Sequence, residues 1–206
     1  MNATSNIACY QGLIKSEMCD RIITSGDALS FDDAEMAGKE ASNYGAERRK
    51  GQVAFFSHDP EFDFIFDGVR YFTDRANTEN WNFDLIGLLP LQYSIYGPDD
   101  FLEWHRDTLS APADPDHPGP PPVRKLSFSL QLSDADDYEG GDFQVRDDDD
   151  TVDDDLWTRM RQRGSFIIFP SIVLHRVTKV TGGRRRSLVG WVLGPPSEED
   201  LRYDVR

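Results

Sequence analysis

The chain has 206 residues, 38% of them apolar and 12% aromatic, which is typical of one folded domain with a sizeable core. No apolar run approaches the roughly 18 residues that cross a bilayer, and the N-terminus lacks the basic and apolar regions of a signal peptide. The net charge of −15 argues against a nucleic-acid partner, which would need a basic surface. We therefore expect a cytoplasmic protein with no membrane or nucleic-acid partner and with Cys9 and Cys19 reduced. The oligomeric state stays open.

Apolar residues at helical spacing predict two helices near the N-terminus. The first covers residues 15–29, with Ser16 as its N-cap, and the second covers residues 60–80. The polar stretch between them, residues 30–51, is predicted to be loop. Residues 1–80 are thus expected to form a helical region packed on the rest of the chain.

After Trp81 the apolar pattern alternates with a period of two, which is typical of β-strands. Glycine and proline turns separate the predicted strands, which cover residues 91–96, 126–132, 143–145, 164–170 and 187–193. Many short strands of this kind predict a double-stranded β-helix (jelly roll) over residues 81–206, in a mainly β protein with flanking N-terminal helices, α+β overall.

Two other segments are predicted to be loops. Residues 112–122 hold six prolines, and we expect them near the mouth of the barrel. Residues 134–155 contain eleven Asp and one Glu against a single Arg, a run whose like charges repel one another. The acidic run is therefore predicted to be solvated and has no assigned role.

Three residues form a candidate metal site. His105 stands two positions before Asp107, so both side chains project from one face if this segment is a strand. Such a pair alone is more often structural than metal-binding. His175 follows a predicted strand and is the natural third ligand. Two imidazoles and one carboxylate on one side of an ion form the facial triad of non-haem iron(II) oxygenases.

Arg185 is the second informative residue, ten positions after His175. If the last strand runs from Arg185 to Leu193, Arg185 shares one of its faces with Ser187 and Trp191. A buried guanidinium needs an anion, and the far carboxylate of 2-oxoglutarate would supply it, with Ser187 adding a hydroxyl donor. The alternative is that residues 184–186 form an exposed basic turn that offsets the acidic run.

Three segments carry a family resemblance: LQYSIYGPDDFLEWHRD at 91–107, KLSFSLQLSDADDYEGG at 125–141, and GSFIIFPSIVLHRVTKVTGGRRRSLVGW at 164–191. In this order and spacing they resemble the motifs of the prolyl 4-hydroxylase-like, PKHD-type branch of the Fe(II)/2-oxoglutarate-dependent oxygenases. The resemblance covers about residues 80–195, and more weakly residues 10–25.

The resemblance implies a role for eight residues. His105, Asp107 and His175 match the catalytic metal ligands, while Arg185 and Ser187 match the groups that bind the C5 carboxylate of 2-oxoglutarate. It also implies that Tyr96 lines the co-substrate pocket and that Trp191 lies below the co-substrate. Gln131 stands where some relatives have a tyrosine that reaches the same carboxylate. Because Asp107 is not replaced by Ala or Gly, the resemblance argues against a halogenase.

The implied activity is hydroxylation of an unactivated C–H bond with iron(II), 2-oxoglutarate and O2, supported by ascorbate, releasing succinate and CO2. By analogy the first candidate substrate is a prolyl residue of a protein or peptide, and the alternative is a free amino acid or another small metabolite. Oxidative demethylation of nucleic acid and a non-catalytic metal-binding jelly roll are less favoured. Trp104, Arg106, Arg49 and Arg48 are further candidates for contacts with the substrate.

Overall fold

The structure is a computed structural model that describes residues 7–33, 49–108, 120–146, 152, 154–198 and 200. Within these residues the α-helices are α1 (Ser16–Asp27), α2 (Asp63–Asn80) and α3 (Asp154–Met160), and a 3-10 turn (Pro60–Phe62) precedes α2. The strands are β1 (Ala8–Tyr10), β2 (Asp32–Asp33), β3 (Arg49–Lys50), β4 (Gln52–Phe56), β5 (Gly87–Leu88), β6 (Leu91–Tyr96), β7 (Phe101–His105), β8 (Val123–Gln131), β9 (Tyr138–Gly140), β10 (Phe143–Arg146), β11 (Phe166–Pro170), β12 (Leu174–Val177), β13 (Val180–Gly183) and β14 (Arg185–Gly194).

The strands form two main antiparallel sheets and a short third one. The major sheet has eight strands in the order β1-β11-β8-β14-β6-β4-β2, with β5 also paired to β14. The minor sheet has the order β10-β12-β7-β3, and β13 pairs with β9. This mainly β architecture with N-terminal helices confirms the predicted double-stranded β-helix, and the five predicted strands lie within or overlap β6, β8, β10, β11 and β14.

The central strands of the major sheet have an apolar outer face. Alternate residues of β8 point outward into the main hydrophobic core, among them Leu126, Phe128 and Leu130, which are at most 3% exposed. Helices α1 and α2 cover this face with residues such as Ile22 and Ile65. Burial of an alternating strand face under amphipathic helices is what the two sequence periods predict.

The other face of the same strands is polar and points into the barrel. Directly paired residues in adjacent strands share a face. The pairs Tyr96 with Arg185 and Ser94 with Ser187 join β6 to β14, and Ser187 is also paired with Gln131 of β8. The face opposite the helices is therefore lined by the polar residues from which a site can be built.

Several local predictions need correction. Helix α1 begins at Ser16, but its N-cap is Lys15 and no side chain caps it, so the Ser16 cap was wrong. The N-terminal segment also contributes strands β1 to β4 to the sheets. Strands β2 and β3 lie within residues 30–51, so the prediction that this stretch is loop was wrong; each has two residues, too few to show a period of two. The division into residues 1–80 and 81–206 stays a prediction.

The acidic run is not loop throughout. Helix α3 begins at Asp154, and its Leu156, Trp157 and Met160 are buried in a second core cluster. Burial of these apolar side chains stabilises the helix although acidic residues precede it, and a count of charges alone does not reveal this apolar face. Residues 147–150 and most of the proline-rich segment lie outside the described residues.

Cys9 and Cys19 are free thiols, as predicted. Within the described residues, none of the helices is long and apolar enough to span a membrane.

Candidate active site

The structure brings His105, Asp107 and His175 together. One potential ligand atom from each residue lies within 4.8 Å of the others, and Asp107 and His175 are buried. Each carboxylate oxygen of Asp107 faces a different imidazole, with 3.5 Å from Oδ1 to His105 Nε2 and 3.5 Å from Oδ2 to His175 Nε2. Among the residues that the structure describes, this is the one group of His, Cys, Asp and Glu with such geometry.

Two neighbouring strands of the minor sheet position the imidazoles. His175 of β12 is paired directly with His105 of β7, which places the ring centroids 4.1 Å apart. The Nδ1 atom of each ring lies 2.9 Å from a carbonyl oxygen two residues earlier, that of Glu103 and of Val173 respectively. A carbonyl can only accept, so each Nδ1 donates and each Nε2 keeps its lone pair for a metal.

Asp107 reaches the same point from outside the strand. Strand β7 ends at His105, so the expected pair of ligands on one strand is only half present. The backbone N–H of Asp107 donates to the Ser171 carbonyl at 2.9 Å, and its Oδ2 accepts from Ser127 Oγ at 2.8 Å. Ser127 also lies 2.9 Å from Ser171 Oγ, which must be the donor because Ser127 has a single proton to give. This chain of contacts fixes the carboxylate in place.

The protonation states suit a cation. Burial, together with the neighbouring His105, lowers the pKa of His175 to about 4. Burial alone would raise the pKa of Asp107, but His175 and His105 hold that pKa well below its usual range. The site therefore offers the neutral imidazole of His175 and the ionised carboxylate of Asp107 at neutral pH, and a divalent metal needs its ligands deprotonated.

Arg185 lies inside the barrel and not on an exposed turn. Its side chain is 2% exposed and its Nε has no hydrogen-bond partner. The guanidinium carbon lies 5.9 Å from the ring centroid of Tyr96 and 5.5 Å from that of Trp157. Arg185 takes part in none of the ion pairs found among the described residues. Arg184 is exposed, whereas Arg186 lies in β14 and pairs with Asp27 at 3.1 Å, so residues 184–186 do not form an exposed basic turn.

Sequence reasoning missed Tyr138, a buried residue beside Arg185. Burial raises the pKa of the Tyr138 hydroxyl, and the neighbouring guanidinium opposes this effect. Gln131 Nε2 donates to Tyr138 Oη at 3.0 Å and to the Ser133 carbonyl at 3.1 Å. The Gln131 amide group thus turns toward Tyr138. The tyrosine stands two residues before the Gly140-Gly141 turn, in a three-residue strand that is too short to show which way its side chain points.

Trp191 lies toward the metal-ligand end of the same inner face. It is paired directly with Ser127, the residue that donates to Asp107. The guanidinium carbon of Arg124 stacks 3.8 Å from the Trp191 ring centroid. Trp191 lies six positions after Arg185, about 20 Å further along the strand. The predicted roles of Trp191, Tyr96, Ser187 and Gln131 toward the co-substrate stay predictions.

The other candidates for substrate contacts lie in different surroundings. Trp104 lies near Arg146 and Arg176, 4.3 and 4.6 Å from their guanidinium carbons, on the face of β7 opposite His105. Arg106 donates to the Ile172 carbonyl. Arg49 points into the barrel, and Arg48 and His117 lie outside the described residues.

Comparison with known proteins decides the family. The sequence profile of the 2OG-Fe(II) oxygenase superfamily matches residues 91–193, which contain all three metal-ligand candidates and Arg185. The chain belongs to this superfamily. The name of the superfamily states the metal and the co-substrate, and both match the groups that the site presents.

Curated relatives are PKHD-type hydroxylases. One from Synechococcus sp. (strain CC9311) is 42% identical over 67 residues, which is 32% of this chain and 28% of the relative. One from Xylella fastidiosa (strain M12) is 34% identical over 106 residues, 50% of this chain and 44% of the relative. The chain thus matches less than half the length of these relatives.

Solved structures share the fold over almost the whole chain. A Pseudomonas putida prolyl-4-hydroxylase is similar with a TM-score of 0.64 at 16% identity, covering 93% of this chain and 94% of the other. A Trichoplax adhaerens prolyl hydroxylase in complex with a hypoxia-inducible-factor peptide has a TM-score of 0.68 at 14% identity, covering 98% and 89%.

Proposed function

We propose that the superfamily member is an iron(II)- and 2-oxoglutarate-dependent hydroxylase, with His105, Asp107 and His175 as metal ligands and Arg185 as the anchor of the co-substrate. The observation that carries the proposal is the combination of two features inside one barrel. One is a pre-formed set of two imidazoles and a carboxylate, and the other is a buried guanidinium without an anionic partner among the described residues.

The donor set fits iron(II). Two neutral imidazoles and one carboxylate on one side of an ion leave positions open for co-substrate and dioxygen. Bound iron(II) would supply the chemistry that couples oxidative decarboxylation of 2-oxoglutarate, with release of succinate and CO2, to hydroxylation of a C–H bond, with ascorbate as a supporting reductant. The hydrogen bonds to Nδ1 of both imidazoles and to the Asp107 carboxylate keep the ligands oriented before the metal binds.

Arg185 fits the far carboxylate of 2-oxoglutarate. A guanidinium binds a carboxylate through two parallel hydrogen bonds, and a buried one without an anion is costly. The Tyr138 hydroxyl beside Arg185 and the Ser187 hydroxyl on the same strand face are further donors for that carboxylate. In this arrangement the co-substrate extends along the inner face of β14, from Arg185 toward the three metal ligands.

For the substrate we propose a prolyl residue of a protein or peptide. Trp191 and the stacked Arg124 lie next to Ser127 and hence near the reacting end of the co-substrate. A Trp face suits an aliphatic ring, and a guanidinium can donate to a main-chain carbonyl. Two of the solved structures that share the fold are named prolyl hydroxylases, one of them in complex with a peptide, which supports this class.

A free amino acid or another small metabolite is the second candidate. The polar cluster around Arg49, described below, favours it because that cluster suits a free carboxylate. Nucleic acid is disfavoured by the net charge of −15.

Succinate formation tests the activity. The protein is incubated with iron(II), ascorbate and 2-oxoglutarate, alone and with libraries of prolyl peptides and of amino acids, and products are screened by mass for one added oxygen. We expect iron-dependent succinate in the wild type and none with His175→Ala. Wild-type succinate no higher than in that variant, with every library present, would contradict the proposal.

A further inference from the structure

A second guanidinium reaches the inside of the barrel from the edge of the minor sheet. Arg49 of β3 crosses to the major sheet, where its Nη1 lies 3.4 Å from Gln92 Oε1 and its Nη2 lies 3.4 Å from Ser94 Oγ. Gln92 and Ser94 are 5% and 0% exposed, and Gln92 Nε2 donates to Ser94 Oγ at 2.8 Å. The three residues form one polar cluster, called the Arg49 cluster below.

The register of β6 places this cluster on the face that carries the co-substrate anchor. Ser94 is paired directly with Ser187 and Gln92 with Val189 of β14, and both partners lie between Arg185 and Trp191 along that strand. Directly paired residues share a face. The Arg49 cluster therefore faces the barrel interior at a level between the anchor and the Arg124–Trp191 pair.

The hydrogen bonds of Arg49 are poor for a charged group. Both of its nitrogen–oxygen distances are 3.4 Å, longer than the usual range of about 2.7–3.2 Å, and both acceptors are neutral. Its Nε is buried and has no partner. By contrast, the neighbouring Lys50 has a carboxylate within reach, at 3.8 Å from Asp100 Oδ1. No ion pair within the described parts of the chain includes Arg49.

The charges within the barrel leave room for another anion. The two carboxylates of 2-oxoglutarate and the Asp107 carboxylate balance iron(II) and Arg185. Arg124 is attracted to the Asp107 carboxylate, and Arg49 then remains as a positive group without an ion-pair partner among the described residues, in a chain that is otherwise strongly acidic. Arg49 is half-buried, and a guanidinium that is partly removed from water and has only neutral acceptors is stabilised when an anion meets it.

We propose that Arg49, with Gln92 and Ser94, forms a subsite for a carboxylate of the primary substrate. The inference rests on the proposed function and narrows its substrate to molecules with a carboxylate near the C–H bond that reacts. Arg49 supplies the charge and the bidentate donors, and the Gln92 amide and the Ser94 hydroxyl supply further donors. The carboxylate comes either from the main chain of a free or C-terminal amino acid or from an acidic side chain.

Matched pairs of small probes test the subsite. Calorimetry under anaerobic conditions measures binding to the protein loaded with iron(II) and 2-oxoglutarate. One arm compares N-acetyl amino acids, N-acetylproline included, with their primary amides. The other compares N-acetyl-Asp-amide and N-acetyl-Glu-amide with the corresponding Asn and Gln compounds. We expect at least one carboxylate to bind about 10- to 100-fold more tightly than its amide, and the arm in which it occurs identifies the source.

Three variants connect the preference to Arg49. Arg49→Gln is expected to reduce the carboxylate-to-amide ratio to about one, Arg49→Lys to keep part of it, and the exposed control Arg184→Gln to keep all of it. Melting temperatures separate this role from a structural brace, because a brace alone would lower the melting temperature in Arg49→Gln and Gln92→Ala while leaving the ratio unchanged.

Any result other than those expected above would contradict the proposed carboxylate subsite. It is wrong if no carboxylate binds, if amides bind equally well, or if Arg49→Gln keeps the preference. The absorption band that 2-oxoglutarate gives with iron(II) in the wild type tests the proposed function separately. A wild type with the band and without a carboxylate preference would refute the subsite alone, and a wild type without the band would refute the proposed function.

Discussion

The two faces of strand β8 differ in polarity, because one face is apolar and the other is polar. Leu126, Phe128 and Leu130 lie in the apolar core under the helices, whereas Ser127 and Gln131 point into the barrel. Apolar burial provides most of the stability of a fold, and polar groups inside it are retained at a cost. Side chains on the outer face therefore contribute mainly to the free energy of unfolding, and side chains on the inner face mainly to metal binding and turnover. Substitutions on the two faces should affect these different measurements.

The largest effect is expected at a metal ligand. His175→Ala removes one of the three donors, so iron-dependent succinate formation should fall to background while the far-ultraviolet circular dichroism spectrum is retained. His58→Ala is the matched control, because His58 lies 2.8 Å from the Leu88 carbonyl and packs on Phe66, away from the ligands. Substantial turnover in His175→Ala would contradict the assignment of the catalytic groups to the inner face.

On the outer face, Phe128→Ala is expected to cost about 3–5 kcal/mol in the free energy of unfolding, because the side chain is fully buried and a cavity would remain. Denaturant titration measures this cost. Turnover per folded molecule should stay the same, and Ser129→Ala on the opposite face is the comparison for stability. A stable Phe128→Ala variant with lost turnover would show that the two faces are not separable.

Arg185→Gln should weaken co-substrate binding more than it weakens the fold. Loss of charge-assisted hydrogen bonds predicts a KM for 2-oxoglutarate about 10- to 100-fold higher. The neighbouring Arg184 is exposed, so Arg184→Gln should leave this KM unchanged. Equal effects of the two substitutions would restore the basic-turn interpretation of residues 184–186.

The smallest effect is expected from Ser127→Ala, which removes the hydrogen bond of 2.8 Å to the Asp107 carboxylate. Loss of a hydrogen-bond donor to a metal ligand is expected to weaken the iron affinity about tenfold. Competition with a chelator measures this affinity. Ser129→Ala on the same strand face is the control. If iron affinity were unchanged in Ser127→Ala, the Ser171–Ser127–Asp107 chain would not orient the ligand.

The sequence predicts most of this division because both faces follow from a period of two. Alternation in residues 126–132 predicts which β8 side chains are buried under the helices, and the spacing of Arg185 and Ser187 predicts a shared inner face. His175 could be predicted as a ligand only together with the distant His105, and the direct pairing of β7 with β12 supplies the physical reason.

Other features depend on contacts that no local pattern carries. Tyr138 becomes a neighbour of Arg185 only because β9 pairs with the distant strand β13. This pairing brings Gly140 so close to the segment before β13 that an added Cβ would lie 2.3 Å from the Lys179 carbonyl oxygen. Arg49 belongs to a strand of two residues, too short for any periodicity, and its direction is set by pairing with Leu102.

The most direct test of the central claim is an anaerobic titration of the iron(II)-loaded protein with 2-oxoglutarate, followed by ultraviolet-visible absorption. We predict a saturable charge-transfer band in the wild type, no band in His175→Ala, and a band in Arg185→Gln that needs about 10- to 100-fold more 2-oxoglutarate. Absence of the band in the wild type, or an unchanged band in His175→Ala, would contradict the assignment of the three residues and Arg185 to an iron and 2-oxoglutarate site.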